Sequence, residues 1–236
     1  YLIQRYYKNP DIFEDQTFLN FDKLVEKNIS NPEKLEQIQN KVFNMKDFIK
    51  IRTICGGYKK VFNLVMHVNT LYIFLMKTDN EIKKEIDFCL KYSSKYLCKF
   101  YGFVEDNNKV TAMIYEFMHN GSLSDYIKKH GNQINCLDKL KILKRIIKGI
   151  EFLHKNGIIH CDIKSTNIYI NGNNKPVIGD FGTIIDTNQE NGGVKDPIIG
   201  SILFASPEIE NGEEVDFSTD IYSFGHLIYL IFEEKN

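Results

Sequence analysis

The feature that most constrains this chain is a polar run at residues 160–167, His-Cys-Asp-Ile-Lys-Ser-Thr-Asn, followed by Asp180-Phe181-Gly182. The run brings the carboxylate of Asp162, the ammonium of Lys164 and the amide of Asn167 within six residues, and Asp180 adds a second carboxylate. Phosphoryl transfer uses such a set, because one carboxylate orients a hydroxyl, a cation neutralises phosphate charge, and hard oxygen ligands bind Mg²⁺. Singly, Asp162 also fits a loop cap and Asn167 a turn residue, but together they favour catalysis.

Composition limits the class of protein. With 236 residues, 43% of them hydrophobic, the chain can form one large domain or two lobes that share a cleft. A net charge of −1 gives no sign of a nucleic-acid or membrane surface, and no apolar run reaches transmembrane length. Five scattered cysteines without a Cys-x-x-Cys pair favour reduced thiols in a cytoplasmic location. The first residue is not methionine, so we expect a fragment of a longer protein.

The hydrophobic pattern predicts a helical leader, then a strand-rich part, then a helical part. In the leader, residues 1–47, apolar side chains recur at helical spacing at Leu35, Ile38, Val42 and Met45. Strands are expected within 48–76, 99–105 and 109–117, with one charged helix at 80–92. Beyond Gly121 we expect helices at 123–129, 137–155 and 219–232, and short strands at 158–160, 168–170 and 176–179. The polar run thus lies between two short strands.

From about residue 48 to its end, the chain resembles a protein kinase catalytic domain. The resemblance rests on the polar run, on Asp180-Phe181-Gly182, on Ser206-Pro207-Glu208 and on Asp220 at the start of an apolar helix, all in the family's order. It implies an α+β, bilobal protein kinase-like fold, with a small antiparallel sheet plus one helix in the N-lobe (about 48–117) and a mainly helical C-lobe (about 121–236). We expect that C-lobe to be incomplete, because the family continues through further helices.

The resemblance also implies roles for the polar residues. Asp162 would orient the substrate hydroxyl, Lys164 would neutralise charge on the transferred phosphate, and Asn167 and Asp180 would bind Mg²⁺. Asp220 would anchor the backbone of the catalytic loop.

The expected nucleotide site draws on the N-lobe and the link between the lobes. Lys77 would meet phosphate oxygens and pair with Glu85, although both could be solvated surface charges. The backbone of Glu116 and Met118 would hydrogen-bond adenine, with Tyr115 at the back of the pocket. The phosphates would meet the glycine-rich loop, Gly56-Gly57, and Ser201 would bond Asp162 or Lys164.

Several positions depart from the family pattern. The loop has two adjacent glycines instead of three spaced ones, with Cys55 or Lys60 in glycine positions, and its lysines could attract phosphates as mobile charges. Leu75 and Tyr169 are larger than the residues the family places around adenine. Cys161 replaces an arginine that pairs with a phosphorylated residue in many kinases, so we expect that activation-loop phosphorylation is not the main switch.

Two functions follow as hypotheses. The first is an ATP- and Mg²⁺-dependent kinase that phosphorylates serine or threonine of a protein. The second is a pseudokinase that acts as a binding or scaffolding module, which the poor glycine loop, Leu75 and Tyr169 favour. A small-molecule kinase shares the polar run, but Ser206-Pro207-Glu208 and Asp220 argue against it. Neither nucleic acid nor a membrane segment is expected, and the sequence carries no signal for an oligomeric state.

Overall fold

The computed structural model describes residues 41–56, 60–79, 82–188 and 206–233. Ten strands and five α-helices lie in these ranges, joined by three-residue 3-10 helices at Met45–Asp47, Gly131–Gln133 and Phe181–Thr183. The strands are β1 Lys41–Phe43, β2 Phe48–Gly56, β3 Lys60–His67, β4 Ile73–Asp79, β5 Phe100–Asp106, β6 Lys109–Glu116, β7 Ile158–Ile159, β8 Ile168–Ile170, β9 Pro176–Ile178 and β10 Ile185–Asp186. The helices are α1 Lys83–Lys91, α2 Leu123–His130, α3 Cys136–Lys155, α4 Pro207–Asn211 and α5 Phe217–Glu233.

Six strands form the sheet of the first lobe, in the order β1-β5-β6-β4-β3-β2. All neighbours pair antiparallel except β1, which runs parallel to β5. Helix α1 packs its buried side chains Glu85, Ile86, Phe88 and Cys89 inward. The α+β, bilobal class expected from sequence is therefore confirmed, with a sheet that is antiparallel but for one edge strand.

The second lobe is mainly helical, and its polar loops are held between short two-stranded sheets, β8-β9 and β10-β7. Local signals explain its helix ends. Ser122 and Asp125 form a reciprocal capping box at the start of α2. Asn135 caps α3, and Gly157, at φ +72°, follows its last turn. Helix α3, predicted at 137–155, begins one residue earlier, and its predicted Asn-Gly end is confirmed.

One large apolar cluster joins the lobes. It contains Phe88 of α1, Met113 of β6, Phe181, and side chains of α3 and α5 such as Ile150 and Leu227, all buried. Burial of these apolar side chains packs the two lobes against each other. None of the helices in the described ranges is both long and apolar enough to cross a membrane.

Two details of the predicted elements are wrong. Val42 lies in β1 and Met45 in a 3-10 helix, so the leader helix does not extend through residues 41–47; residues 1–40 lie outside the described ranges. Pairing of β1 with β5 overrides the local helical period, as tertiary contacts do for short segments. The strand expected to end by residue 76 continues as β4 to Asp79, because Lys60 pairs with Asp79, so Lys77 lies inside the strand.

Candidate active site

The loop that carries the polar run is fixed by one buried carboxylate. Asp220, fully buried in the first turn of α5, accepts hydrogen bonds from the backbone amides of His160 and Cys161, each at 2.9 Å. The Nε2–H of His154 on α3 donates to it at 2.8 Å. Cys161 lies in the left-handed region, at φ +64°, where a non-glycine residue is uncommon. These hydrogen bonds attach the backbone of the loop to α5, as expected of Asp220.

The carboxylate, ammonium and amide of the run converge. Lys164 Nζ lies 2.7 Å from Asp162 Oδ2, and Asn167 Nδ2 donates to the same oxygen at 2.7 Å. Asn167 Nδ2 also donates to the Asp162 carbonyl at 3.0 Å, which closes the loop on itself. Asp162 and Asn167 are both buried, whereas the Lys164 side chain is 18% exposed. The amide and the ammonium thus fix the direction of one Asp162 oxygen.

A second cluster forms under the sheet. Lys77 Nζ lies 2.6 Å from Glu85 Oε2 and 2.9 Å from Asp180 Oδ1. Lys77 and Glu85 are both buried, so the alternative that they are solvated surface charges is wrong. Burial by itself would lower the pKa of Lys77, but the two carboxylates raise it above its usual value. An ammonium paired with two carboxylates therefore lies between α1 and the Asp-Phe-Gly segment.

Asp180 is held ionised in this cluster. Burial would raise its pKa, but the ammonium groups of Lys77 and Lys60 lower it to about 2. Its backbone lies in the left-handed region at φ +59°. Phe181, the next residue, is buried against Phe88 of α1, with ring centres 4.7 Å apart. The aromatic contact and the ion pair together position the carboxylate.

The two clusters are joined through His160 and Gly179. The Gly179 amide donates to the Asn167 carbonyl at 2.9 Å, and His160 Nε2–H donates to the Gly179 carbonyl at 3.2 Å. His160 Nδ1 accepts from the Asp162 amide at 3.3 Å, which assigns a neutral ring with its proton on Nε2. The residue before Asp180 is thus attached to the loop that carries Asp162 and Asn167.

The link between the lobes uses some of its backbone groups internally. The amide of Glu116 donates to the Lys99 carbonyl at 2.9 Å, and the carbonyl of Met118 accepts from the Gly121 amide at 3.0 Å. The Glu116 carbonyl and the Met118 amide are the groups that we expect to bind a purine base. No observation tests these two contacts, so they stay predictions.

Tyr115 has a larger role than a pocket wall. Its hydroxyl donates to Glu85 Oε1 at 2.8 Å, and Cys89 Sγ lies 3.3 Å from the same hydroxyl. Because the single hydroxyl proton is directed at Glu85, the Cys89 thiol donates to the Tyr115 oxygen. Burial raises the pKa of the Tyr115 phenol well above its usual value. Sequence reasoning missed this link, which depends on the register of β6 against α1.

The two large residues expected near adenine have different surroundings. Leu75 lies in β4, opposite Leu64 and Tyr115, and is partly buried. Tyr169 has its ring against Gly179, where an added Cβ would lie 2.9 Å from the ring carbon Cε2 and 2.6 Å from Cys98 Sγ. Gly179 therefore provides the space into which the Tyr169 ring fits.

Of the remaining predicted residues, the structure describes Gly56 and Glu208. Gly56 ends β2 opposite Val61, whereas Gly57 and Ser201 lie outside the described residues. Glu208 accepts from the Thr219 hydroxyl at 2.7 Å. In the described part of the chain, His, Cys, Asp and Glu side chains form no group of three that could hold a metal ion. A metal here would rely on Asp180 with an amide and non-protein oxygens.

A bilobal fold with an ion pair under the sheet and an acid–lysine–asparagine loop below it defines the protein kinase class. The sequence model of the protein kinase domain family matches residues 67–236, well over half of the chain. The chain belongs to the protein kinase family.

Curated relatives agree with this assignment. A probable receptor-like protein kinase of Arabidopsis thaliana is 32% identical over 162 residues, which cover 64% of this chain and 19% of the relative. A serine/threonine-protein kinase-like protein of the same plant is 32% identical over 64% of this chain and 44% of its own length. A probable serine/threonine-protein kinase of Dictyostelium discoideum is 30% identical over 77% of this chain and 20% of its own. The chain thus spans less than half of each of these relatives.

Proposed function

We propose that the chain is an active protein kinase that transfers the γ-phosphate of ATP to a serine or threonine hydroxyl of a protein substrate. The observation that carries the proposal is the Lys77 ammonium, buried and held 2.6 Å from Glu85 and 2.9 Å from Asp180. Burying three charged groups together is costly unless each is paired. A cation kept charged at that site is suited to binding phosphate oxygens.

Asp162 is the group that would receive the substrate hydroxyl. Its Oδ2 is occupied by Lys164 and Asn167, which orients the carboxylate without removing its negative charge. Orientation is the main requirement, because phosphoryl transfer depends on in-line positioning and charge neutralisation more than on a strong base. Lys164, 18% exposed, would in turn neutralise charge on the transferred phosphate.

The donor set fits Mg²⁺ in its usual protein setting. Asp180 supplies an ionised carboxylate and Asn167 an amide oxygen, and Mg²⁺ is commonly held by one or two such side chains with phosphate and water oxygens. When bound, the ion would neutralise charge on the phosphates. The hydrogen bond from the Gly179 amide to the Asn167 carbonyl connects the segment that carries Asp180 to the loop that carries Asn167.

The base and the substrate class are further parts of the proposal. Glu116 and Met118 would hydrogen-bond adenine through their backbone. A serine or threonine substrate is supported by Lys164, two residues after Asp162, and by relatives whose names include serine/threonine-protein kinase. The cytoplasmic location is also proposed, on the scattered cysteines alone.

The alternative is a pseudokinase with the same fold. The observation that favours it is the partly buried Tyr169 ring packed against Gly179, together with Leu75 on the strand above. These side chains reduce the room for adenine relative to smaller residues.

Phosphate transfer and nucleotide binding separate the two functions. The 236-residue chain would be incubated with labelled ATP, Mg²⁺ and a basic protein substrate, beside Asp162→Asn, which keeps the shape of the loop. We expect labelled phosphoserine or phosphothreonine from the wild type and a loss of at least about a hundredfold in the rate of transfer by the variant.

Nucleotide binding is measured in parallel. Millimolar ATP with Mg²⁺ should raise the unfolding temperature of the wild type by mass action, and should raise that of Asp180→Asn less. ATP binding without transfer would support the pseudokinase, and no binding would refute the kinase proposal.

A further inference from the structure

Lys60 reaches into the cleft beside the predicted phosphate site. It is the first residue of β3 and pairs with Asp79, while Phe62, two residues on, pairs with Lys77. Side chains two residues apart in a strand share a face, so Lys60 and Lys77 project from the same face of the sheet. The Lys60 ammonium lies 3.3 Å from Asp180 Oδ1 and 4.0 Å from Asp79 Oδ2.

Two ammonium groups therefore contact one oxygen of Asp180, but they are held differently. Lys77 is 2% exposed and is fixed by Glu85, whereas the Lys60 side chain is 39% exposed. An ion pair with this much exposure is weak and is readily exchanged for another anion. Lys60 is consequently the one of the two that can leave Asp180 at little cost.

The segment below Lys60 gives it room. A Cβ added at Gly182 would lie 3.3 Å from Lys60 Nζ, tighter than an ordinary contact. The glycine of Asp180-Phe181-Gly182 thus lets the ammonium approach the metal-binding carboxylate closely. The same approach places a positive charge where the phosphates of a nucleotide bound at Asp180 and Lys77 would lie.

We propose that Lys60 is a phosphate-binding residue of this kinase, which exchanges Asp180 for the phosphate oxygens of a bound nucleoside triphosphate. In a three-glycine loop, backbone amides approach the phosphates closely and donate hydrogen bonds to them. This chain has only the pair Gly56-Gly57 there, and the Lys60 ammonium would provide a charged donor in their place. The inference rests on the proposed function, because it assumes that ATP binds in this cleft.

The test compares nucleosides that differ only in phosphate number. Dissociation constants of adenosine, ADP and ATP, with Mg²⁺, would be measured by calorimetry for the wild type, Lys60→Gln, Lys60→Arg and Lys109→Gln. Lys109 is the control, an exposed lysine in the same sheet at the β5–β6 hairpin. We expect Lys60→Gln to weaken ATP about tenfold and ADP less, with adenosine unchanged, since each lost charge-assisted contact involves a phosphate. Lys60→Arg should retain most of the ATP affinity, and Lys109→Gln should match the wild type.

The outcomes that contradict the inference are distinct from failure of the proposed function. Equal weakening of adenosine and ATP by Lys60→Gln would show a structural role, and tighter ATP binding would show that Lys60 only blocks Asp180. Either result overturns the inference while ATP binding by the wild type still stands. A wild type that binds none of the three ligands would refute the proposed function, and this inference with it.

Discussion

Tyr115 and Glu85 share a 2.8 Å hydrogen bond that connects the end of the central strand β6 to helix α1. Glu85 uses its two oxygens differently: Oε1 accepts from Tyr115 and Oε2 binds Lys77. The helix is therefore attached to two neighbouring strands by one buried carboxylate. The position of the helix relative to the sheet is thus fixed by unmodified side chains of the first lobe.

Replacing Tyr115 by phenylalanine should destabilise the first lobe. The change removes the donor to a buried, charged acceptor, and such a loss costs about 1 to 3 kcal/mol. The free energy of unfolding in urea measures the effect. Tyr222→Phe, an exposed tyrosine on α5, is the matched control and should change little. Equal losses in the two variants would show that the Tyr115 hydroxyl has no special role.

The candidate catalytic residues were predictable because their geometry is mostly local. Asp162, Lys164 and Asn167 lie within one loop, so their order along the chain nearly determines that they meet. Lys77 and Glu85 were predictable for a related reason, since a strand and the helix directly after it pack together.

What could not be predicted depends on register between distant segments. The Tyr115 hydroxyl reaches Glu85 only because β6 lies beside β4, and Lys60 reaches Asp180 only because of its pairing with Asp79. Strand β1 is three residues long and has no period of its own, so its parallel pairing with β5 was missed. Sequence periodicity reports which face is buried, not which residue lies opposite.

Asp220→Ala should cost more stability than most single changes. The carboxylate satisfies two buried backbone amides and the ring of His154, and its removal leaves those donors without an acceptor. We expect a loss of about 3 to 5 kcal/mol in the free energy of unfolding, because each buried donor left without an acceptor costs about 1 to 3 kcal/mol. Asp106→Ala, at the exposed β5–β6 turn, should lose less than about 0.5 kcal/mol. A loss of similar size in both would mean that Asp220 does not hold the loop.

Gly179→Ala tests the packing beneath the predicted adenine site. The new methyl group would overlap Cys98 Sγ and the Tyr169 ring, and overpacking of this kind costs about 1 to 3 kcal/mol. Gly172→Ala in the β8–β9 turn is the control, because nothing lies within 4 Å of its added Cβ. Combining Gly179→Ala with Cys98→Ala should recover part of the loss, and strictly additive losses would place the strain elsewhere.

A negative charge at Thr187 should leave kinase activity nearly unchanged. Cys161 is buried against Ile159 and Ile185. A thiol therefore stands where many kinases have the arginine that pairs with a phosphorylated residue. Thr187 itself is exposed and donates to the Gly157 carbonyl at 2.9 Å. We expect Thr187→Glu and its neutral control Thr187→Gln to agree within about twofold in phosphate transfer. A many-fold rise in the glutamate variant alone would contradict the expectation.

The fall in the free energy of unfolding at acid pH should include a contribution from Asp180. Because its pKa is lowered from 3.8 to about 2 in the folded chain, the unfolded state binds the proton first as the pH falls. Its contribution to stability is therefore complete above about pH 5 and is lost as the pH falls through 4 toward 2.

Urea titrations at pH 5 and pH 3 measure this contribution. Linkage gives a loss of about 1 kcal/mol in the free energy of unfolding over that interval from this residue alone. Asp180→Asn cannot titrate, so the wild type should lose about 1 kcal/mol more than the variant between the two pH values. The comparison uses the change with pH and is thus independent of what the substitution does to stability at pH 5. Parallel losses in the two proteins would mean that Lys77 and Lys60 do not hold Asp180 ionised in the folded state.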